Sequence, residues 1–187
     1  MNRFFALVLL TVGFATGAQA DYIPASWSDS ADLGGGVYIR NRATYTYTHN
    51  LTDNGFRPLN DTINSFNLSI GLTDDSSSFL EGPELALVSL PGVLGVVNGS
   101  GTYNFGASGA EYGGWSILGL LQLNVLGTLT VSISSIFGDF NLVSSTLTTT
   151  GLANVPSVPE PGALGLLGIG LMGMALTMRR RKLASRA

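Results

Sequence analysis

The strongest constraint on this chain is a strict alternation of apolar and polar side chains along two of its segments. Phe66, Leu68, Ile70 and Leu72 alternate with Asn67, Ser69, Gly71 and Thr73, and Leu129, Val131 and Ile133 alternate with Thr128, Thr130 and Ser132. A period of two places all the apolar groups on one face of a β-strand, whereas a helix would scatter them around its surface. Further strands are expected over 36–48, 84–90, 102–107, 118–126 and 140–149, each bounded by Gly, Asn, Asp or Pro. Asp53-Asn54-Gly55, Pro91-Gly92, Asn98-Gly99-Ser100-Gly101 and Leu126-Gly127 supply turn residues that tolerate positive φ. Many short strands joined by such turns predict an all-β domain over 36–151, an antiparallel β-sandwich of jelly-roll-like type, preceded by an extended segment over 21–35. Residues 114–126 stay open, because Trp115, Ile117, Leu118, Leu120, Leu121 and Leu123 also fit one helical turn followed by a strand.

Both termini are excluded from that core. Arg3, the apolar run Phe4 to Leu10 and the small-residue ending Ala18-Gln19-Ala20 form a secretory signal helix over 1–20, with cleavage expected after Ala20. The chain has no cysteine, so in an oxidising compartment its stability has to come from packing. At the other end a linker over 152–161 contains Val158-Pro159-Glu160-Pro161, which favours extended backbone. Residues 162–178 then carry no charge and at about 1.5 Å per residue reach roughly 25 Å as a helix, enough for a transmembrane helix with slight mismatch. Arg179, Arg180, Arg181 and Lys182 follow in a basic tail over 179–187 and read as a stop-transfer cluster held on the cytoplasmic side.

This tripartite tail resembles the PEP-CTERM sorting signal of exported Gram-negative bacterial proteins, over roughly residues 157–182. The resemblance implies an inner-membrane exosortase that recognises the motif, cleaves near it and passes the protein to the cell surface or the exopolysaccharide matrix. The Sec translocon and signal peptidase are the partners implied by the N-terminal signal. A second likeness is carried by the stretch from Tyr45 to Phe56, by Asp61-Thr62-Ile63, Asp74-Asp75 and Gly138-Asp139-Phe140. It looks like the extracellular β-sandwich module common in PEP-CTERM proteins, and no enzymatic activity comes with that module.

Charge divides along the chain in the same way. Between positions 21 and 157 only Arg40, Arg42 and Arg57 stand against eleven acidic residues, a net charge of −8 that predicts solubility and no affinity for nucleic acid. The residue inventory then narrows the chemistry. Cysteine nucleophiles and zinc hydrolysis are excluded, the only lysine lies in the basic tail, and no Gly-x-Ser-x-Gly elbow is present. The only histidine, His49, ends a Thr-Tyr strand and is expected at the surface or strand end, bonded to a neighbour. No resident cofactor is expected except Ca²⁺, for which Asp53, Asp61, Asp74 and Asp75, with Glu81, supply hard oxygen ligands in loops, although no EF-hand spacing organises them. Tyr45, Tyr47, Tyr103, Tyr112 and Trp115 fit core packing better than a sugar platform. The expectation is an exported, non-enzymatic surface or matrix protein. A Ca²⁺- or glycan-binding module is the alternative, and ice binding by the threonine rows at Thr44, Thr46, Thr48 and Thr146, Thr148, Thr149, Thr150 is a remoter one.

Overall fold

The alternating stretch from Phe66 to Leu72 becomes the centre of β4 (Thr62–Asp74), with all four apolar side chains buried and Asn67 exposed. The structure, a computed structural model, describes residues 21–74, 82–107, 116–155, 165 and 168–174. The chain divides into two compact units, Tyr22–Asn154 and a second made of Met1–Asp21 with Val155–Ala187. In the second unit positions 165 and 168–174 are helical. Among the described residues no helix is long and apolar enough to cross a membrane. The signal helix over 1–20 and the remainder of the 162–178 span lie outside the described residues.

The first unit is two antiparallel sheets. One has the order β1 (Asp21–Ser30), β9 (Phe140–Val155), β4, β7 (Gly101–Gly106), with the short β2 (Val37–Ile39) also pairing with β9. The other has the order β3 (Thr44–Asn50), β8 (Thr128–Phe137), β5 (Leu85–Leu90), β6 (Val93–Asn98). The chain passes repeatedly from one sheet to the other, an interleaving of the kind a jelly roll has. Phe66, Leu68, Ile70, Phe105, Leu142 and Leu147 of the first sheet and Ala86, Val88, Leu129, Val131 and Ile133 of the second bury their side chains to make the core.

Four expectations change. The segment 21–35 is not outside the sandwich, since its first ten residues form β1 beside β9, with Ala31 N–H donating to Ser145 O. Pro24 is tolerated there because β1 is an edge strand. The single strand expected over 36–48 is two, broken where Arg42 adopts φ 63° and Ala43 N–H closes a turn onto Arg40 O. β6 was not anticipated, although Gly92 at φ 79° makes the turn that lets it pair with β5. Finally, the strand expected over 118–126 is a helix, α1 (Ile117–Leu126). Ser116 caps it by accepting from Gly119 N–H, and Gly127 at φ 72° ends it with its N–H on Leu123 O. Leucine and glutamine are good helix formers, and with both ends capped the local preference prevails over a strand.

α1 closes one end of the sandwich by bonding to both sheets. Ser116 Oγ donates to Pro91 O in the β5–β6 turn at 2.7 Å. Asn124 grips β4 twice, accepting from Ile63 N–H at 2.8 Å and donating to Ile63 O at 2.9 Å. Pairing of Thr62 with Leu152 puts the start of β4 and the end of β9 at this same end. Pairing of Asp74 with Phe140 and of Leu85 with Asn98 puts the β6–β7 and β8–β9 turns at the other.

Candidate functional site

The inner face of β3 continues from Tyr45 and Tyr47 to His49, and this parity carries the histidine into the interior, where it is 0 % exposed. That corrects the expected surface position, while the expected neighbour bond is present twice over. His49 Nδ1 lies 2.8 Å from Asp29 Oδ2 on β1, and Nε2 lies 2.9 Å from Ser145 Oγ on β9. Tyr47 donates its hydroxyl to Ser145 Oγ at 2.7 Å, and Asp29 Oδ2 also accepts from Asn50 N–H. Burial lowers the His49 pKa and outweighs the opposing hydrogen bond and charge of Asp29, so the ring is neutral near pH 7. Burial likewise pushes Tyr47 up to about 12. A neutral ring with its proton on Nδ1 satisfies every partner: Tyr47 O–H to Ser145, Ser145 O–H to His49 Nε2, His49 N–H to Asp29.

The connectivity Ser145–His49–Asp29 is that of a hydrolase triad. Its setting is different, because Ser145 is 2 % exposed and its oxygen already accepts from Tyr47. A nucleophile must reach a substrate carbonyl, and this hydroxyl is enclosed between the sheets. What the set does is join β3 of one sheet to β1 and β9 of the other. Sequence separations of 20 and 96 residues hid it, and the Tyr45-Tyr47-His49 parity was the signal that could have exposed it.

The carboxylates expected to converge on calcium are spread out. Asp53 belongs to a 3-10 turn, Thr52–Asn54, and accepts from Asn50 Nδ2 at 2.9 Å. Asp61 is 4 % exposed and fully engaged: Arg57 N–H, Nε and Nη2 donate to it at 2.9, 3.2 and 2.8 Å, and Asn154 N–H at 2.9 Å. Burial alone would raise its pKa, but the bonds from Arg57 and from the Asn154 backbone together hold it below the usual range. Arg57 also donates to Asn154 O, so the pair clamps the chain where β9 ends. Asp74 ends β4, about 40 Å from Asp61 at roughly 3.3 Å per residue, so the four carboxylates do not make one site. Asp75 and Glu81 lie outside the described residues, and among the described residues no group of three or more His, Asp or Glu is placed to hold a metal. Beside Asp74 lies an open cleft of about 340 Å³, lined by Gly82, Pro83, Glu84, Asn98, Gly99 and Ser100.

The threonine row of β3 faces outward, and its hydroxyls bond across to β8: Thr44 to Ser134 and Thr46 to Ser132 at 2.8 Å, Thr48 to Thr130 at 3.3 Å. Thr149 of the second row points inward instead and donates to Trp27 O. Tyr45 and Tyr47 stack at 5.8 Å against the core, and Tyr103 is buried, whereas Tyr112 and Trp115 lie outside the described residues.

Neither the Ser145 hydroxyl nor the Asp61 carboxylate is open to solvent. The sequence of the tail matches a known protein-sorting element. Residues 157–182 carry the PEP-CTERM protein-sorting motif. The PEP-CTERM signal marks an exported protein sorted by an exosortase at the membrane. Val158, Pro159, Glu160, Pro161 and the basic residues Arg179 to Lys182 fall within it but outside the described residues, as do Ala18 and Ala20. No curated protein gives a significant match to the chain.

Proposed function

We propose that this chain is a non-enzymatic component of the cell surface or exopolysaccharide matrix of a Gram-negative bacterium. The match of residues 157–182 to the PEP-CTERM protein-sorting motif carries the reading. After export through the Sec translocon and removal of residues 1–20 by signal peptidase, the apolar stretch 162–178 holds the chain in the inner membrane. Arg179 to Lys182 stay on the cytoplasmic side and fix the orientation. Pro159 and Pro161 keep the motif extended and therefore accessible to an exosortase, whose cleavage releases the β-domain to the surface or the matrix. The enclosure of Ser145 and His49 supports a structural role for the domain's polar interior, and the −8 charge supports a soluble domain once the tail is gone.

Mass spectrometry of protein recovered from the surface fraction of the native host tests this, with Pro159, Glu160 and Pro161 replaced by alanine as the comparison. Loss of the fragment beyond the motif in the wild type and its retention in the variant is the expected result. An intact tail in both would make the protein a permanent membrane anchor and remove the basis for the matrix assignment.

A further inference from the structure

We propose that the outer face of α1, together with Leu59, rests on the lipid bilayer while the tail holds the chain in the membrane. This rests on the membrane-inserted tail of the preceding reading and adds a second, reversible contact made by the β-domain itself. α1 has no charged residue, and only Gly119 and Leu123 of its ten residues are buried. Ile117, Leu118, Leu121, Val125 and Leu126 are each between 44 and 66 % exposed. A helix apolar all round belongs inside a protein or against lipid, and a contiguous exposed apolar patch marks an interface.

The two polar side chains of α1 are both hydrogen-bonded within the domain, Gln122 from between Leu118 and Leu126. Asn124 is spent on Ile63 and on Leu120 O, and Gln122 Nε2 lies 3.4 Å from Thr130 Oγ1. Leu59 extends the patch, because its N–H donates to Asn124 O and its side chain is 80 % exposed. It does so at φ 67°, a conformation that leucine rarely adopts and that Asn or Gly would take more readily.

The position of the chain exit selects lipid as the occupant. Asn154 is bonded to Asp61 and Arg57, next to Leu59, so the chain leaves the domain at the α1 end. Only residues 156–161 separate β9 from the apolar stretch, a reach of at most about 25 Å. A domain tethered so closely by that end keeps α1 near the bilayer throughout its time in the membrane. Its negative charge gives no attraction to anionic lipid, so the contact is hydrophobic and insensitive to salt.

The chain has no cysteine, so Leu121→Cys, Val125→Cys and, on the outer face of β3, Thr46→Cys each give one attachment point for an environment-sensitive fluorophore. The full chain is reconstituted into phosphatidylcholine vesicles, and quenching by a nitroxide in the acyl region is compared with quenching by aqueous iodide. The expected result is acyl-region quenching at positions 121 and 125 at least about twofold above that at 46, unchanged at high salt. Equal iodide quenching at all three positions in floating vesicles would overturn the contact while leaving the tail reading intact. Shielding at 121 and 125 that grows with protein density, without acyl-region quenching, would overturn it in favour of a second copy of the chain. Failure of the vesicles to carry the protein on flotation would overturn the tail reading and the contact together.

Discussion

At one end of the sandwich lie α1, Leu59 and a carboxylate, Asp61, held by four hydrogen bonds from Arg57 and Asn154. At the other lie the open cleft beside Asp74 and Glu84 and the β8–β9 turn, where Asp139 accepts from the Tyr38 hydroxyl. The same strands run between these ends, so the contrast comes from the connections. The exit end closes its polar groups onto one another and turns apolar side chains outward, whereas the far end keeps its carboxylates beside solvent. The proposed membrane contact at the exit end would impose such a polarity on the loops through solvent, and the strands need not record it.

The largest test of the contrast exchanges a carboxylate at each end. Asp61→Ala leaves the N–H groups of Arg57 and Asn154 without their acceptor and should cost about 3 kcal/mol. Asp74→Ala, at a solvent-exposed strand end where a polar contact is worth about 1 kcal/mol at most, should cost less in the same denaturant titration. Similar losses at both positions would contradict the asymmetry. Next comes glycine. A Cβ at Gly151 would stand 1.9 Å from Thr62 O where β9 passes β4 at the exit end, and neither backbone can yield cheaply. Gly151→Ala should therefore cost about 2 kcal/mol or more, against about 0.5 kcal/mol either way for Gly82→Ala, whose Cβ meets nothing within 4 Å.

Acid titration separates the exit-end clamp from the cross-sheet set. The folded pKa of His49 lies below its unfolded value of about 6.5, so on acidification the unfolded chain takes the proton first. Stability is then full above about pH 6.5 and falls below it by at most about 1.4 kcal/mol per pH unit until the folded ring titrates. Asp61, also lowered, adds stability that is present above about pH 3.9 and is lost as pH falls further. His49→Gln should flatten the first decline and leave the second, and a first decline that persists would assign it to another group. The smallest effect is expected for Leu121→Ser, within about 0.5 kcal/mol by thermal melting, because the leucine is 58 % exposed and packs little.

The core was legible because burial on one face writes a period of two into β4 and β8. β1 escaped notice since Asp21-Tyr22-Ile23-Pro24 has no such alternation, as suits an edge strand, and Arg42 broke a strand at positive φ without a glycine to announce it. α1 was ambiguous for a physical reason: apolar residues that face outward as well as inward leave no periodicity to read. Among the candidate site residues, those of the tail were legible as a contiguous motif. The Tyr47, His49, Asp29 and Ser145 set was not, because three strands from two sheets bring it together. Asp61 was visible as a carboxylate, but its role as a clamp depended on Asn154, far along the chain.

Among the described residues β9 is the last strand in sequence and, with 16 residues, the longest, yet it lies inside its sheet, between β1 and β4. The first strand of the exported chain therefore has no partner until the last has crossed the membrane. Order of emergence and order of assembly run in opposite senses, and the sandwich forms only when translocation is nearly finished. A chain interrupted upstream of Phe140 lacks β9, and with it the described partner of β1 and of β2 and one of the two partners of β4, so the first sheet depends on completion of the polypeptide.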